Sequence, residues 1–286
     1  MKIAFCVFSG TGNTRLVADR LKEELTVRGA QVETFTVIKG EPVPDLSGFD
    51  TLVVGFPVHA FNAPAPLLKF LKKLPKCKRK AEKKPAYLLR VSGEPLKLNE
   101  ASEILPRRIL KRRGYKVAGE FGYVMPYNII FRHSDGMAAR MWRAVERNTP
   151  QDAEEILSGT GTVPKIGAWG RFVSFMLRIE HPAMPVIGVS FHAKKKKCIG
   201  CKKCEAVCPQ KNIKIKKGKP KFGGSCAACM GCVLSCPTDA IRPSLLNGWR
   251  VNGKYKFDAE PATDDEVCDY CKKAYLRYFH EKEKNL

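Results

Sequence analysis

Eight of the twelve cysteines fall in two strings of one spacing, CIGCKKCEAVCP from Cys198 and CAACMGCVLSCP from Cys226. Each reads C-x2-C-x2-C-x3-C-P, and the second repeats the first 28 residues later. A segment so rich in thiols folds around what those thiols hold. Runs of this spacing supply the thiolates of [4Fe–4S] clusters. Zinc is the alternative, because C-x2-C pairs also build zinc ribbons; two tandem triple-cysteine runs, each closed by Cys-Pro, favour the cube. Ile213 and Ile241 each stand five residues beyond a fourth cysteine and are expected to cover the sites.

The first half of the 286 residues follows another pattern. Residues 3–8 form a continuous apolar run suited to a strand buried on both faces. Val17, Leu21 and Leu25 then recur at helical spacing before Arg28-Gly29, a helix end. Further strands are read at 31–38, 51–56, 85–91 and 116–124, with helical patterns at 66–74 and 99–113 among them. Such alternation predicts an α/β domain built on a parallel sheet.

Between the first strand and the first helix stands Ser9-Gly10-Thr11-Gly12-Asn13-Thr14. Backbone N–H groups at a helix N-terminus, flanked by hydroxyls, make an anion site. No Lys-Ser/Thr follows the glycines, so this is not a Walker A loop, and Arg15 breaks the dinucleotide pattern G-x-G-x-x-G. In this position S-x-T-G-x-T resembles the FMN phosphate loop of flavodoxins. Open α/β sheets gather their ligands at the carboxyl ends of strands, and two more loops follow strands there. By the resemblance, Pro57, Val58, His59, Ala60, Phe61 and Asn62 of one loop, with Ser92, Gly93 and Glu94 of the other, border the flavin ring. Phe61 is the expected stacking residue. Unlike ordinary flavodoxins, residues 92–99 carry no aromatic side chain. One flavin face is therefore expected to be open, unless Tyr127 after the fifth strand covers it.

The middle and tail say less. Residues 138–147 look helical, and 150–157 read as a further helix opening at Pro150. Trp169, Phe172, Phe175, Met176 and Ile179 recur at helical spacing, a stripe expected to pack against either domain; Pro182 and Pro185 are expected to end that helix. Cys6, in the first strand, reads as buried and inert. Cys268 and Cys271 are too few for a tetrahedral site and read as packing.

The formal charge is +23. Basic residues are grouped: Lys76, Lys78, Arg79, Lys80, Lys83 and Lys84; Arg107, Arg108, Lys111, Arg112 and Arg113; the lysines at 194–197; and six lysines between Lys211 and Lys221. Such a field speeds association with acidic partners. Aromatic residues do not interleave with these lysines as a nucleic-acid stacking platform requires, so nucleic acid is not an expected partner. Neither a secretory leader nor an apolar stretch of about 18 residues is read, and the cysteine usage suits a reducing compartment. A cytoplasmic location without a membrane span is expected.

Together the halves resemble the flavodoxin–ferredoxin fusion proteins of anaerobic bacteria and archaea. The resemblance implies a flavodoxin-like, doubly wound parallel five-stranded sheet at 1–160, a helical linker at 161–193, a small α+β ferredoxin domain with two [4Fe–4S] clusters at 194–243 and a C-terminal extension at 244–286. It implies FMN, and crossed ligation, in which the fourth cysteine of each run serves the other cluster. The first cluster then takes Cys198, Cys201, Cys204 and Cys236, the second Cys226, Cys229, Cys232 and Cys208. The expected role is electron transfer with an acidic redox protein; an FMN-dependent reductase of a small molecule is the alternative, and a homodimer is left open.

Overall fold

The computed structural model describes residues 1–77 and 83–283; Lys78, Arg79 and Lys80 of the first basic group lie outside the described residues. Five strands, β1 (Lys2–Val7), β2 (Gln31–Thr36), β3 (Thr51–Pro57), β4 (Lys84–Ser92) and β5 (Tyr115–Val124), form one sheet in the order β2-β1-β3-β4-β5. Every neighbouring pair is parallel. Crossovers carry α1 (Asn13–Val27), α2 (Ala65–Lys73) and α3 (Ile104–Arg112), and α4 (Asp135–Ser158) follows β5.

Alternation along residues 3–8 divides the core. Ile3, Phe5 and Val7 join Val17, Leu21 and Leu25 of α1 and Val145 and Ile156 of α4. Ala4, Cys6 and Phe8 meet Leu67 and Leu71 of α2 and Ile109 and Leu110 of α3. Burial on both faces, as a parallel sheet requires, also pushes the Cys6 thiol up to about 12 and leaves it inert. The strand order reverses between β1 and β3, whose carboxyl ends carry the phosphate loop and the 57–62 loop.

The helices read at 138–147 and 150–157 are one, since α4 runs through Pro150. Proline has no N–H for the carbonyl four residues back. The Thr149 hydroxyl donates to that carbonyl, Glu146 O, at 3.4 Å, and the Asn148 amide holds Ala144 O at 2.6 Å, so the turn persists.

The middle segment departs further from expectation. Helix α5 (Ala168–Leu177) forms, yet its apolar stripe faces outward: Trp169 is 69% exposed, Phe175 65% and Ile179 71%. The side that packs is made of small residues, Gly170 against Ala101 and Leu98, and Ser174, whose hydroxyl donates to Asn62 at 2.8 Å. Close approach of the backbone there leaves the large side chains on the far side. Pro182 and Pro185 do not end the helical structure, because α6 (Glu180–Val189) contains both. Pro182 sits in its first turn, where the N–H has no intrahelical partner anyway.

The cysteine-rich segment is a small repeat: β6 (His192–Ala193), α7 (Lys203–Ala206), β7 (Ile213–Lys216), β8 (Lys219–Phe222), α8 (Gly231–Leu234) and β9 (Ile241–Arg242). Antiparallel pairs β6–β9 and β7–β8 close it. The chain then returns to the first domain. Ile129 bridges Arg250, Ala262 N donates to Gly136 O at 3.0 Å, and α9 (Lys272–Glu283) sets Tyr275 and Phe279 against Val124, Met137 and Met141. The extension after residue 243 is part of that domain's core. Among the described residues no helix is long and apolar enough to cross a membrane.

Candidate functional site

A cavity of about 450 Å³ opens at the carboxyl ends of β1, β3, β4 and β5, within the roughly 300–1,000 Å³ usual for small-ligand sites. Its wall includes Ser9, Gly10, Thr11, Asn13 and Thr14, then Pro57, Val58, His59, Ala60 and Phe61, then Ser92, Gly93 and Glu94. All three loops singled out from the sequence meet there. Gly12 and Asn62 are absent from the wall. Gly12 precedes α1 in the left-handed conformation, φ 110°. Asn62 is buried and its amide donates to Ala60 O and Ser174 O, each at 3.0 Å, so it fixes the loop's shape from behind. Ala60 (φ 41°) and Phe61 (φ 58°) are also left-handed, a strained state for residues with a Cβ. Paired backbone bonds between His59 and Asn62, 2.9 and 2.7 Å, hold it.

One end of the cavity suits an anion. Helix α1 has no acidic residue in its first turn, and its Gly12 N-cap offers no side chain; one long bond, from Arg15 N–H to Ser9 Oγ at 3.4 Å, meets that turn, which leaves partial positive charge for a ligand. Ser9, Thr11 and Thr14 line the wall there. The other end is closed by Tyr127. A Cβ on Gly93 would overlap the Tyr127 ring, and the phenol donates to the Glu94 carboxylate. Burial raises both groups above their ordinary ranges. His133 lies parallel to Tyr127 at 5.4 Å and bonds the Tyr275 hydroxyl at 3.2 Å.

Burial lowers His133 to about 4, and burial followed by the nearby His181 lowers His59 to about 4. A histidine neutral in the fold binds its proton more readily once unfolded. Stability is therefore full above 6.5 and is lost as pH falls from 6.5 toward 4. For His133, only 2% exposed, the loss is of order 3 kcal/mol. Melting temperatures are expected to drop across that window, and His133→Gln to flatten the drop; an unchanged pH profile in the variant would remove His133 as its cause.

Several wall residues carried no signal in the sequence for a place in this cavity. Leu246, Trp249 and Tyr270 come from the C-terminal extension, and Ala227, Ala228, Cys229 and Met230 from the second cysteine run. A Cβ on Gly10 would overlap Cys229 Cβ and stand 2.7 Å from its Sγ, and one on Gly231 would overlap Gly10 O. Two glycines let the phosphate loop and the cysteine loop touch, backbone to backbone.

The eight thiols divide into two groups. Cys198, Cys201, Cys204 and Cys236 surround one small void with Ile241; Cys208, Cys226, Cys229 and Cys232 surround another with Ile213. Among the described residues no group of three or more His, Cys, Asp or Glu is arranged to hold a single metal ion. The grouping is crossed: Cys236 of the second run joins the first void, and Cys208 of the first run joins the second. Burial pushes the Cys229 thiol up to about 12, so it ionises only when a metal takes up the charge. Amide N–H groups of Asn212, Ala228 and Ala240 point at Cys208, Cys226 and Cys236 at 3.2–3.4 Å. Ile213 and Ile241 are each 2% exposed. Cys201 reaches the surface, while the other set lies against the cavity.

Residues 4–122 match the flavodoxin domain model and residues 197–241 the 4Fe-4S dicluster domain model. No curated protein matches the sequence. Solved structures similar to the chain include the Streptococcus pneumonia TIGR4 flavodoxin, at 16% identity over 55% of this chain and 99% of that one, TM-score 0.41. Oxidised Flavodoxin 1 from Bacillus cereus is similar at 15% identity over 55% and 98%, TM-score 0.41. A flavodoxin from the domain Archaea is similar at 14% identity over 55% and 99%, TM-score 0.37.

Proposed function

We propose that this chain, a flavodoxin–ferredoxin fusion with an N-terminal flavodoxin domain and a C-terminal 4Fe-4S dicluster domain, moves electrons between one FMN and two [4Fe–4S] clusters within one polypeptide, and to or from an acidic redox protein. The observation that carries this reading is the contact of Gly10, in the phosphate loop, with Cys229, in the inner thiol set.

The residues fit the groups the two domains imply. A helix start with a glycine N-cap and three hydroxyl residues beside it suits a phosphate, a cavity with Phe61 in its wall suits a flat ring system, and two sets of four thiols suit two cubes. Flavin supplies two-electron and each cluster one-electron chemistry. The chain's residues do the rest. Ser9, Thr11 and Thr14 orient the phosphate without adding charge. Phe61 is assigned one ring face, and Tyr127 with Glu94 closes the cavity's end. Ile213 and Ile241, both buried, cover the inward side of each thiol set.

The order is then cavity, inner set, outer set, surface. Around exposed Cys201 stand the exposed lysines 194–197, Lys202 and Lys203, which supports an acidic partner docking at the outer set. Anaerobic reconstitution followed by redox titration tests the core of the reading. About eight irons and one flavin per chain are expected, with exchange between them independent of protein concentration. A missing flavin, fewer irons, or exchange that speeds with concentration overturns it. In the same preparation Thr11→Ala is expected to weaken FMN binding about tenfold or more while iron content stays constant, measured by flavin fluorescence and iron assay.

A second reading, reduction of a small molecule, is favoured by a further cavity that adjoins the first.

A further inference from the structure

The adjoining cavity, about 490 Å³, lies between α6, one side of α2, the loop after β2 and residues 224–227. His59, Glu180, Met184 and Ala227 belong to both cavities. Its wall is mainly apolar, with Val43, Pro66, Phe70, Met184 and Pro185. Its rim is cationic. Lys69, Lys72 and Lys73 project from one turn of α2, are exposed, and make no salt bridge among the described residues. Lys39 donates to Ser225 at 2.6 Å, and Glu41 is neutralised by Lys211 at 2.6 Å.

The other carboxyl on the wall is Glu180, whose side chain is 13% exposed and 3.6 Å from His181 Nε2. Burial raises it to about 7, so on the acid side of neutrality it carries little charge to repel an anion. His181 is held by Ala63 O at 3.1 Å.

We propose that this cavity binds a small organic anion, a carboxylate on an aromatic or conjugated hydrocarbon body, with the carboxylate at Lys69 and Lys73 and the body against Phe70 and Met184. A neutral apolar molecule leaves the lysines without a counter-charge. A wholly polar anion leaves the apolar wall uncovered. Only an amphipathic anion answers both, and the volume suits a molecule of this size. The conjugated body rests on reading the neighbouring cavity as the flavin site, because a molecule bound beside a flavin is placed to exchange electrons with it.

Calorimetry on the FMN-loaded protein, slightly acid of neutral, tests the site. Cinnamate is the probe, cinnamyl alcohol its neutral counterpart and inorganic phosphate the anion without an apolar body. Saturable cinnamate binding is expected, with both comparators at least about tenfold weaker. Lys69→Glu with Lys73→Glu is expected to weaken cinnamate at least about tenfold at constant FMN content. Lys111→Glu with Lys116→Glu, on another face, leaves it unchanged. Should the reversed charges unfold the chain, Lys69→Gln with Lys73→Gln gives the same comparison. No cinnamate binding, equal binding of the alcohol, or full binding by the Lys69 and Lys73 variant overturns the proposal. So does binding seen only in FMN-free protein and abolished by FMN, since the cavity then belongs to the flavin. A preparation that takes up no FMN, read by absorbance, sinks the flavin reading instead, and calorimetry on it still decides whether the anion binds.

Discussion

Under the crossed ligation proposed, replacing Cys208 with alanine is expected to empty the cluster of the other cysteine run. Cys208 closes the first run in sequence, yet it faces the same void as Cys226, Cys229 and Cys232. Iron should fall by about half, and the loss should be non-additive in a diagnostic way. Cys208→Ala with Cys226→Ala should remove no more iron than either alone, since under crossed ligation both strip one cluster. Cys208→Ala with Cys198→Ala removes nearly all of it. Uncrossed ligation predicts the reverse for both pairs, so iron assays on four variants decide the matter. The flavin should also lose fast exchange with iron in Cys208→Ala, while Cys236→Ala, which empties the outer set, should retain it. Because a thiolate site folds with its metal, a melting transition assigned to the cysteine-rich segment should weaken in both variants.

Gly231→Ala is the second change with a large expected effect. Its new Cβ would overlap Gly10 O, and a backbone atom cannot rotate aside as a side chain can. The loops must part, at about 1–3 kcal/mol of strain. Gly231 is in neither the phosphate loop nor a thiol position, so FMN and iron content should hold while their mutual electron exchange slows. Gly10→Ala should slow exchange too, but also weaken FMN binding, because the same Cβ alters the phosphate loop. Gly248, with nothing within 4 Å of an added Cβ, is the neutral control. Stopped-flow reduction of the loaded protein reads the exchange, and an unslowed Gly231→Ala rules this contact out as the route.

What was legible in the sequence was chemistry carried by neighbours in sequence. The phosphate loop and the cysteine runs need particular residues at short spacings, and the strand–helix alternation needs only local periodicity. What was not legible depended on residues brought together from afar. Gly10 and Gly231 each look explained by their own motif, so nothing marks them as a pair. Trp169, Phe172 and Phe175 have the periodicity of a packed face, but periodicity reports that a helix has two sides without saying which one lies inward. Gly170 and Ser174 decide that, by admitting a closer backbone approach than the aromatic side could make. Pro150 and Pro185 read as breaks because a lost hydrogen bond is visible in sequence, whereas the Thr149 hydroxyl that takes up the freed Glu146 carbonyl acts only once the helix exists. Asn62 sat in the correct loop for a different reason from the one expected.

The tail that returns to the first domain changes when that domain can exist. Met137, Met141 and Val124 bury themselves against Tyr275 and Phe279, and Trp249 and Tyr270 complete the wall beside the 92–94 loop. On a ribosome, domains ordinarily fold in the order in which they emerge. Here the flavodoxin domain emerges before the cysteine-rich segment yet is completed only after it, because its missing pieces follow the cysteine runs. The polypeptide is looped through its own cysteine-rich segment before the cavity at the sheet's carboxyl edge can close, so completing the first domain waits on synthesis of the second.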